Sequence, residues 1–89
     1  MSELTVTFVS PSETVWEGAA SYVRVPASDG SMGLLPNMAP VLATLSEGVI
    51  AVTETNGSTF EMSVSGGFVS VDRSVVQIVA YGVQKAAAA

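Results

Sequence analysis

The chain has 89 residues, 48% hydrophobic and 12% charged, which predicts one globular domain, because independent domains usually run to about 100 residues or more. It contains no histidine and no cysteine, which excludes Ser-His-Asp and Cys-His catalysis, disulfides, and metals bound through imidazole or thiolate. Eight acidic against three basic residues give a net charge of −5, which disfavours binding to nucleic acid and insertion into lipid. The sequence has neither a basic leader that would predict export nor an apolar run long enough to predict a membrane span.

Alternating apolar and polar residues predict strands in the first third of the chain. Residues 4–9 form a strand in which Leu4, Val6 and Phe8 share one face, and Pro11 predicts a turn after it. The alternation resumes over residues 21–25, and we expect that strand to end at Pro26 because proline has no backbone N–H to donate. Residues 28–31 then have the composition of a tight turn.

The stretch from residue 32 to residue 45 carries no charge. Its prolines, Pro36 and Pro40, forbid a continuous helix or a central strand, so we expect two short strands around a loop at residues 35–40. That loop is apolar where a solvent-facing loop is usually polar. Two interpretations stay open, since either a partner covers the loop or the loop folds back onto the core of its own domain.

The second half of the chain predicts two hairpins. Residues 49–53 and 59–64 flank Asn56-Gly57, a pair that favours a type I′ turn. Residues 68–71 and 75–81 form the second pair of strands.

The predicted fold class is all-β, a flattened sandwich or barrel of two antiparallel sheets. Roughly eight or nine short strands at this spacing are typical of that architecture. We expect the domain to cover residues 1–83 and to be followed by a short alanine-rich tail at residues 84–89.

Candidate catalytic and ligand-binding side chains are few. Glu13 and Glu17 are the closest carboxylates in sequence and would have to carry a carboxylate-only hydrolase, but charged residues beside a turn are usually solvated. In a free-standing ligand-binding module, Trp16, Tyr22 and Tyr81 would be stacking platforms, although aromatic residues of strand-rich chains usually pack in the core. We therefore expect no catalytic residue, no cofactor and no metal.

Four segments, in order and covering roughly residues 4–80, carry a resemblance to a known family. Residues 29–42, Asp-Gly-Ser-Met-Gly-Leu-Leu-Pro-Asn-Met-Ala-Pro-Val-Leu, resemble the acidic-Gly-x-x-Gly-aliphatic-x-Pro-x-His-x-Pro segment of the epsilon subunit of bacterial F-type ATP synthases. Residues 8–18 resemble the first strand and turn of that family, residues 47–50 its central hairpin, and residues 65–71 its Ser-Gly-Gly strand.

The resemblance implies a non-catalytic rotor subunit of the central stalk. Such a subunit links the gamma subunit to the c-ring, couples ion flow to ATP synthesis, and acts only indirectly on the alpha/beta catalytic head. It would be peripheral, at the cytoplasmic face of the bacterial cell membrane. The contacts that the resemblance implies are Ser10, Met38 and Ala43 with the gamma subunit, and Ser28, Asp29, Gly30 and Ser31 with the c-ring.

Two departures from the family pattern limit what the resemblance implies. Met38 stands where the family usually has histidine. The family continues into a C-terminal helical hairpin that carries its inhibitory and nucleotide-sensing roles, and we expect no such hairpin because the sequence ends at Ala89. We therefore expect neither ATP binding nor inhibition of ATP hydrolysis.

Overall fold

The alternation seen in the sequence forms nine strands within residues 3–28 and 30–85, the parts of the chain that the computed structural model describes. In chain order they are β1 (Leu4–Val9), β2 (Thr14–Ala27), β3 (Gly30–Leu34), β4 (Val41–Leu45), β5 (Gly48–Glu54), β6 (Thr59–Val64), β7 (Gly66–Asp72), β8 (Val75–Tyr81) and β9 (Gln84–Lys85). The predicted all-β sandwich is confirmed. Within the described ranges, no helix has the length and apolarity that crossing a bilayer requires.

A long second strand joins the two layers of the sandwich. The first half of β2 pairs with β1, and its second half lies between β3 and β5. The first layer continues from β1 through β8 and β7 to β4, and the second continues from β5 through β6 to β9. We expected two antiparallel sheets, but the sheet is continuous and mixed, because β1 and β8 run parallel with Val6 opposite Val76.

The second strand extends further in both directions than the sequence predicted. We expected a strand at residues 21–25, whereas β2 spans Thr14–Ala27. Pro26 does not end the strand. The ladder between β2 and β5 stops at Arg24, so β5 does not need a backbone N–H from residue 26, the donor that proline lacks. The Pro26 carbonyl oxygen instead accepts a hydrogen bond of 2.7 Å from the Ser46 amide.

The inward-facing residues of both layers form one apolar core. Its largest fully buried side chains include Phe8, Leu34, Ile50 and Ile78, and burial of each contributes about 1.5–3 kcal/mol. Among the described residues, no polar or charged side chain is buried. The core therefore needs no internal hydrogen bonds to compensate for desolvated polar groups.

The backbones of β7 and β8 approach each other so closely that the second position of the Ser-Gly-Gly pair of glycines has no room for a side chain. Gly67 lies at φ 141°, a value that side-chain-bearing residues rarely adopt. A Cβ at this position would clash with the carbonyl oxygen of Val79 and lie 2.8 Å from Cα of Ala80. Glycine is therefore required for β7 and β8 to pair at this point.

Strand pairing also extends past the expected end of the domain. Gln84 and Lys85 form β9, opposite Ser63 and Met62 of β6. The paired region thus reaches two residues beyond position 83. The rest of the predicted alanine-rich tail, residues 86–89, lies outside the described residues.

The turn between β5 and β6 differs from the predicted type I′ turn. Gly57 has a positive φ of 93°, but Asn56 does not, and the Gly57 amide donates a hydrogen bond of 2.9 Å to the carbonyl oxygen of Glu54. This is a type I turn followed by a glycine bulge, the usual connection for a longer hairpin loop. The prediction of a type I′ turn here is wrong, because the loop is longer than the two-residue connection which that turn requires.

A type I′ turn occurs instead between β7 and β8. Its two central residues, Arg73 and Ser74, have φ angles of 53° and 63°. Neither is glycine, so each of them carries a steric cost of about 1 kcal/mol in the left-handed region. Part of this cost is offset, because the backbone N–H of Asn37 donates a hydrogen bond of 3.0 Å to Oγ of Ser74.

Replacing Arg73 with asparagine should stabilise the domain. Because asparagine tolerates the left-handed region, Arg73→Asn should raise the free energy of unfolding by up to about 1 kcal/mol. The midpoint of urea unfolding should rise with an unchanged m-value. Arg24→Asn is the matched control, since it removes the same charge from the extended strand β2 and should not stabilise. Equal changes in the free energy of unfolding for both substitutions would show that loss of the charge, not relief of backbone strain, causes the change.

Candidate interaction surface

Large apolar side chains lie exposed on the outer side of the first layer. Leu42 on β4 is 78% exposed, Phe68 on β7 is 46% exposed and Tyr81 on β8 is 48% exposed. Val79 on β8 and Val9 on β1 are half-buried on the same side, because their chain neighbours Ile78 and Phe8 face the core. We call the set of Val9, Leu42, Phe68, Val79 and Tyr81 the apolar face.

Strand register makes these residues neighbours. Phe68 pairs directly with Val79, and Val79 pairs with Val9 across the parallel ladder. Directly opposed side chains in a sheet lie about 4.5–5.5 Å apart at Cβ, and diagonal ones lie about 7–8 Å apart. Leu42 and Tyr81 are the diagonal neighbours of Phe68, since their own partners are Ser70 and Gly66. The five residues therefore form one contiguous patch.

The positions between these residues are uncharged. Thr44 lies beside Phe68, and Ser70 pairs with Gln77, which in turn pairs with Thr7. Among soluble monomers, contiguous exposed apolar patches usually mark a contact with another molecule. The geometry and composition of this face suit a flat, uncharged protein surface better than a small ligand, which needs a concave site.

The three residues that the resemblance assigned to the gamma contact do not belong to this face. Ser10 follows the end of β1, at the end of the layer where Tyr81 lies. Met38 lies in the loop before β4, at the opposite end, beside the turn of Arg73. Ala43 is central in β4 but packs against the core, and its neighbour Leu42 is the exposed one.

The loop at residues 35–40 combines both interpretations that the sequence left open. Met38 is half-buried and packs against the core, and its Sδ accepts a hydrogen bond of 3.4 Å from the Leu35 amide. Leu35, in contrast, is 54% exposed, and Pro40 is exposed as well. The loop therefore folds back through Met38 and leaves Leu35 without cover within the domain.

Three of the predicted c-ring contacts lie beside the apolar face and line one cavity together with Leu42. Ser28 follows β2, and Gly30 and Ser31 begin β3. All three are exposed, while Asp29 lies outside the described residues. The Ser28 amide donates a hydrogen bond of 3.3 Å to the carbonyl oxygen of Thr44. This bond holds the turn against the edge of β4, next to the apolar face but not on it.

The side chains considered for chemistry are not brought together. Glu13 and Glu17 are exposed, and no group of three or more His, Cys, Asp or Glu side chains within the described ranges could hold a metal ion. Trp16 packs edge-on against Phe60, with ring centroids 5.0 Å apart.

The other two aromatic rings of the ligand-module alternative lie on different layers of the sandwich. Tyr22 covers Gly33 on the outer side of the second layer, whereas Tyr81 belongs to the apolar face of the first. No shared stacking platform is formed by these rings and Trp16, so no observation favours that alternative.

Comparison with known proteins identifies the domain. Residues 3–86 match the sequence profile of the family described as ATP synthase, Delta/Epsilon chain, beta-sandwich domain. The chain belongs to this family. An ATP synthase epsilon chain from Micrococcus luteus is 42% identical over 80 residues, which are 90% of this chain and 88% of the relative. One from Corynebacterium efficiens is 40% identical over 81 residues, 90% of this chain and 65% of the relative.

Solved structures share the fold of this epsilon-type domain. A chain of the Euglena gracilis mitochondrial ATP synthase superposes with a TM-score of 0.89 at 21% identity, covering 96% of this chain and 54% of that one. A chain of the Tetrahymena thermophila enzyme superposes with a TM-score of 0.76 at 16% identity, covering 92% and 66%. This chain thus spans between about half and nine-tenths of the proteins that it resembles.

Membership of the family settles the class of protein. Epsilon chains are subunits of a rotary, membrane-associated complex and are not themselves catalytic. The prediction of a non-catalytic ATP synthase subunit is therefore confirmed.

Sequence reasoning did not find the apolar face. Leu42 and Phe68 carried no motif, and the exposed loop at residues 35–40 drew attention instead. A signal was present, however, because Phe68-Val69 and Ile78-Val79 place apolar residues at consecutive positions of short strands. Consecutive apolar residues in a strand point to opposite faces, so one member of each pair must face outward.

The epsilon-type domain should not bind nucleotide. Phosphate binding needs clustered cations, a helix N-terminus or a nest of amides. The two arginines are not clustered, because Arg24 lies on β2 of the second layer and Arg73 lies on the β7–β8 turn of the first. Isothermal titration of the chain with ATP and Mg²⁺ should give no saturable heat up to millimolar nucleotide. Saturable binding below that concentration would reveal a site that these residues do not form.

Proposed function

We propose that this chain links the gamma subunit of an ATP synthase to its c-ring and so couples ion flow to ATP synthesis. The observation that carries the proposal is the apolar face, a contiguous uncharged surface centred on Phe68 that the domain itself leaves open. A stalk subunit without catalytic residues has to act through such surfaces.

Burial of the apolar face supplies the driving force for the gamma contact. Leu42, Phe68 and Tyr81 are about half exposed or more in the domain alone, and burial of each stabilises a complex by up to about 1.5–3 kcal/mol before the costs of association. Ser10 and Met38 then lie at opposite rims of the contact. Ala43 contributes to this contact only by its place in β4, because the exposed side chain next to it is that of Leu42.

A second surface serves the c-ring. The turn at residues 28–31 offers short polar side chains and, at Asp29, a negative charge to the polar loops of a ring. Because this turn lies beside β4, the domain can contact two partners with two adjoining surfaces. The solved structure from Tetrahymena thermophila, described as central stalk and c-ring, supports this arrangement.

The same proposal determines where the chain acts. Contact with the polar loops of a membrane-embedded ring places the domain at the cytoplasmic face of the bacterial cell membrane, as a peripheral subunit without lipid insertion. The alpha/beta catalytic head is affected only indirectly, through the gamma subunit.

A charge introduced on the apolar face should prevent the gamma contact. Leu42→Glu places a carboxylate in the interface, where desolvation without a partner costs about 2–5 kcal/mol. The free domain should keep its stability, because Leu42 is 78% exposed. Binding to the purified gamma subunit from the same organism, measured by titration calorimetry, should therefore weaken while the unfolding midpoint stays unchanged.

The matched control is Val49→Glu, on the outer side of the second layer. Val49 is 43% exposed on β5, so this substitution adds the same charge to an exposed apolar position away from the apolar face. We expect affinity close to that of the unmodified chain. Full affinity of Leu42→Glu, or an equal loss in both variants, would contradict the assignment of the gamma contact.

Reversing the charge in the c-ring turn should separate pumping from hydrolysis. Asp29→Lys should lower ATP-driven proton pumping in reconstituted vesicles more than it lowers ATP hydrolysis, because charges at the rim of a contact mainly change encounter rate and salt dependence. Glu61→Lys makes the same charge change on exposed β6 and serves as the control. If Asp29→Lys pumps as well as Glu61→Lys, the turn does not contact the ring.

A further inference from the structure

We propose that Asn56 is a site of spontaneous covalent modification, at which the side-chain amide is lost through a cyclic imide formed with the backbone nitrogen of Gly57. This inference is independent of the proposed function. It rests on the tip of the β5–β6 hairpin, residues 55–58, where all four residues are exposed.

The tip leaves room for the reacting atoms. Apart from Gly57 and its two chain neighbours, no heavy atom lies within 4 Å of the position that a Cβ on Gly57 would occupy. Ring closure requires the Gly57 nitrogen to approach Cγ of Asn56, and a side chain on the following residue hinders that approach. Glycine removes this hindrance and also lets the backbone rotate into the required conformation.

A hydrogen bond already polarises the carbonyl group that is attacked. The Ser58 amide donates a bond of 2.9 Å to Oδ1 of Asn56. As the Gly57 nitrogen attacks Cγ, negative charge develops on Oδ1, and a donor in this position stabilises that charge. The structure thus holds one of the two reacting groups in an activated state.

A second hydrogen bond restrains the attacking group. The Gly57 amide donates a bond of 2.9 Å to the carbonyl oxygen of Glu54, so this bond must open before the nitrogen can turn toward Cγ. Reaction in the folded chain is therefore slower than in the unfolded chain and depends on local opening of the hairpin tip.

The chemistry needs no reagent except water. The Gly57 nitrogen gives up its proton to solvent and forms a bond to Cγ, the bond from Cγ to Nδ2 breaks, and ammonia leaves. Water then opens the imide at either carbonyl and leaves aspartate or isoaspartate at position 56. Either product adds one negative charge to the net charge of −5, and isoaspartate also inserts a methylene group into the backbone of the turn.

The test follows both asparagines of the sequence during incubation at mildly alkaline pH. The folded chain is incubated in buffer and the unfolded chain in concentrated urea, and peptide mass spectrometry with isoaspartate detection follows Asn56 and Asn37. Asn37 precedes Met38 and is the internal control. Asn56 should convert at least about tenfold faster than Asn37 in urea, because glycine does not hinder the attack. In the folded chain Asn56 should still convert, but more slowly than in urea.

Two variants separate the chemistry from the fold. Gly57→Ala should slow conversion at Asn56 in urea, where the strain of a positive φ has no effect. Ser58→Pro removes the donor to Oδ1 and should slow conversion in the folded chain without slowing it in urea. Equal rates at Asn56 and Asn37 in urea, or an intact Asn56 in the folded chain after complete conversion in urea, would overturn the proposal.

Discussion

Each strand of a two-layer sandwich can bury only one of its two faces, and β7 and β8 carry apolar side chains on both. Val69 and Ile78 are fully buried in the core, so their chain neighbours Phe68 and Val79 point away from it. The exposed apolar face is thus a direct result of strand geometry. Such a face is available for contact with another molecule.

The same constraint orders the rest of the molecule. Because the core holds no buried polar group among the described residues, the hydrogen bonds that position the connecting segments lie outside it. The bond from the Ser28 amide to Thr44 fixes one turn against β4, and the bond from the Asn37 amide to Ser74 fixes another against the loop of Met38. One surface therefore comes from the sheet itself, and the other comes from a turn held at its edge.

Most of the strands could be predicted from the sequence, because period-two alternation is a local property. The first half of β2 could not, since residues 14–20 form a strand only where β1 supplies a partner. The turn types were also beyond local reasoning. Arg73 and Ser74 adopt a conformation that their side chains disfavour, because the short connection between β7 and β8 imposes it.

The candidate surface was predicted only in part. The family resemblance indicated Ser10 and Met38, which lie at the rims, but the exposed residues at the centre have no distinctive motif. Phe68 is recognisable as a surface residue only when its neighbours in β4 and β8 are known, and that pairing is long-range information. Side-chain exposure across several strands cannot be predicted from spacing alone.

Site-specific labelling of the assembled ATP synthase tests the central claim most directly. The chain has no natural cysteine, so single cysteines placed at Leu42, Phe68 or Val49 can be labelled with a maleimide without background from this chain. In the complex, Leu42→Cys and Phe68→Cys should be protected relative to the free chain, while Val49→Cys should react at its free rate. Free reaction at Leu42 and Phe68 together with protection at Val49 would show that the opposite layer carries the contact.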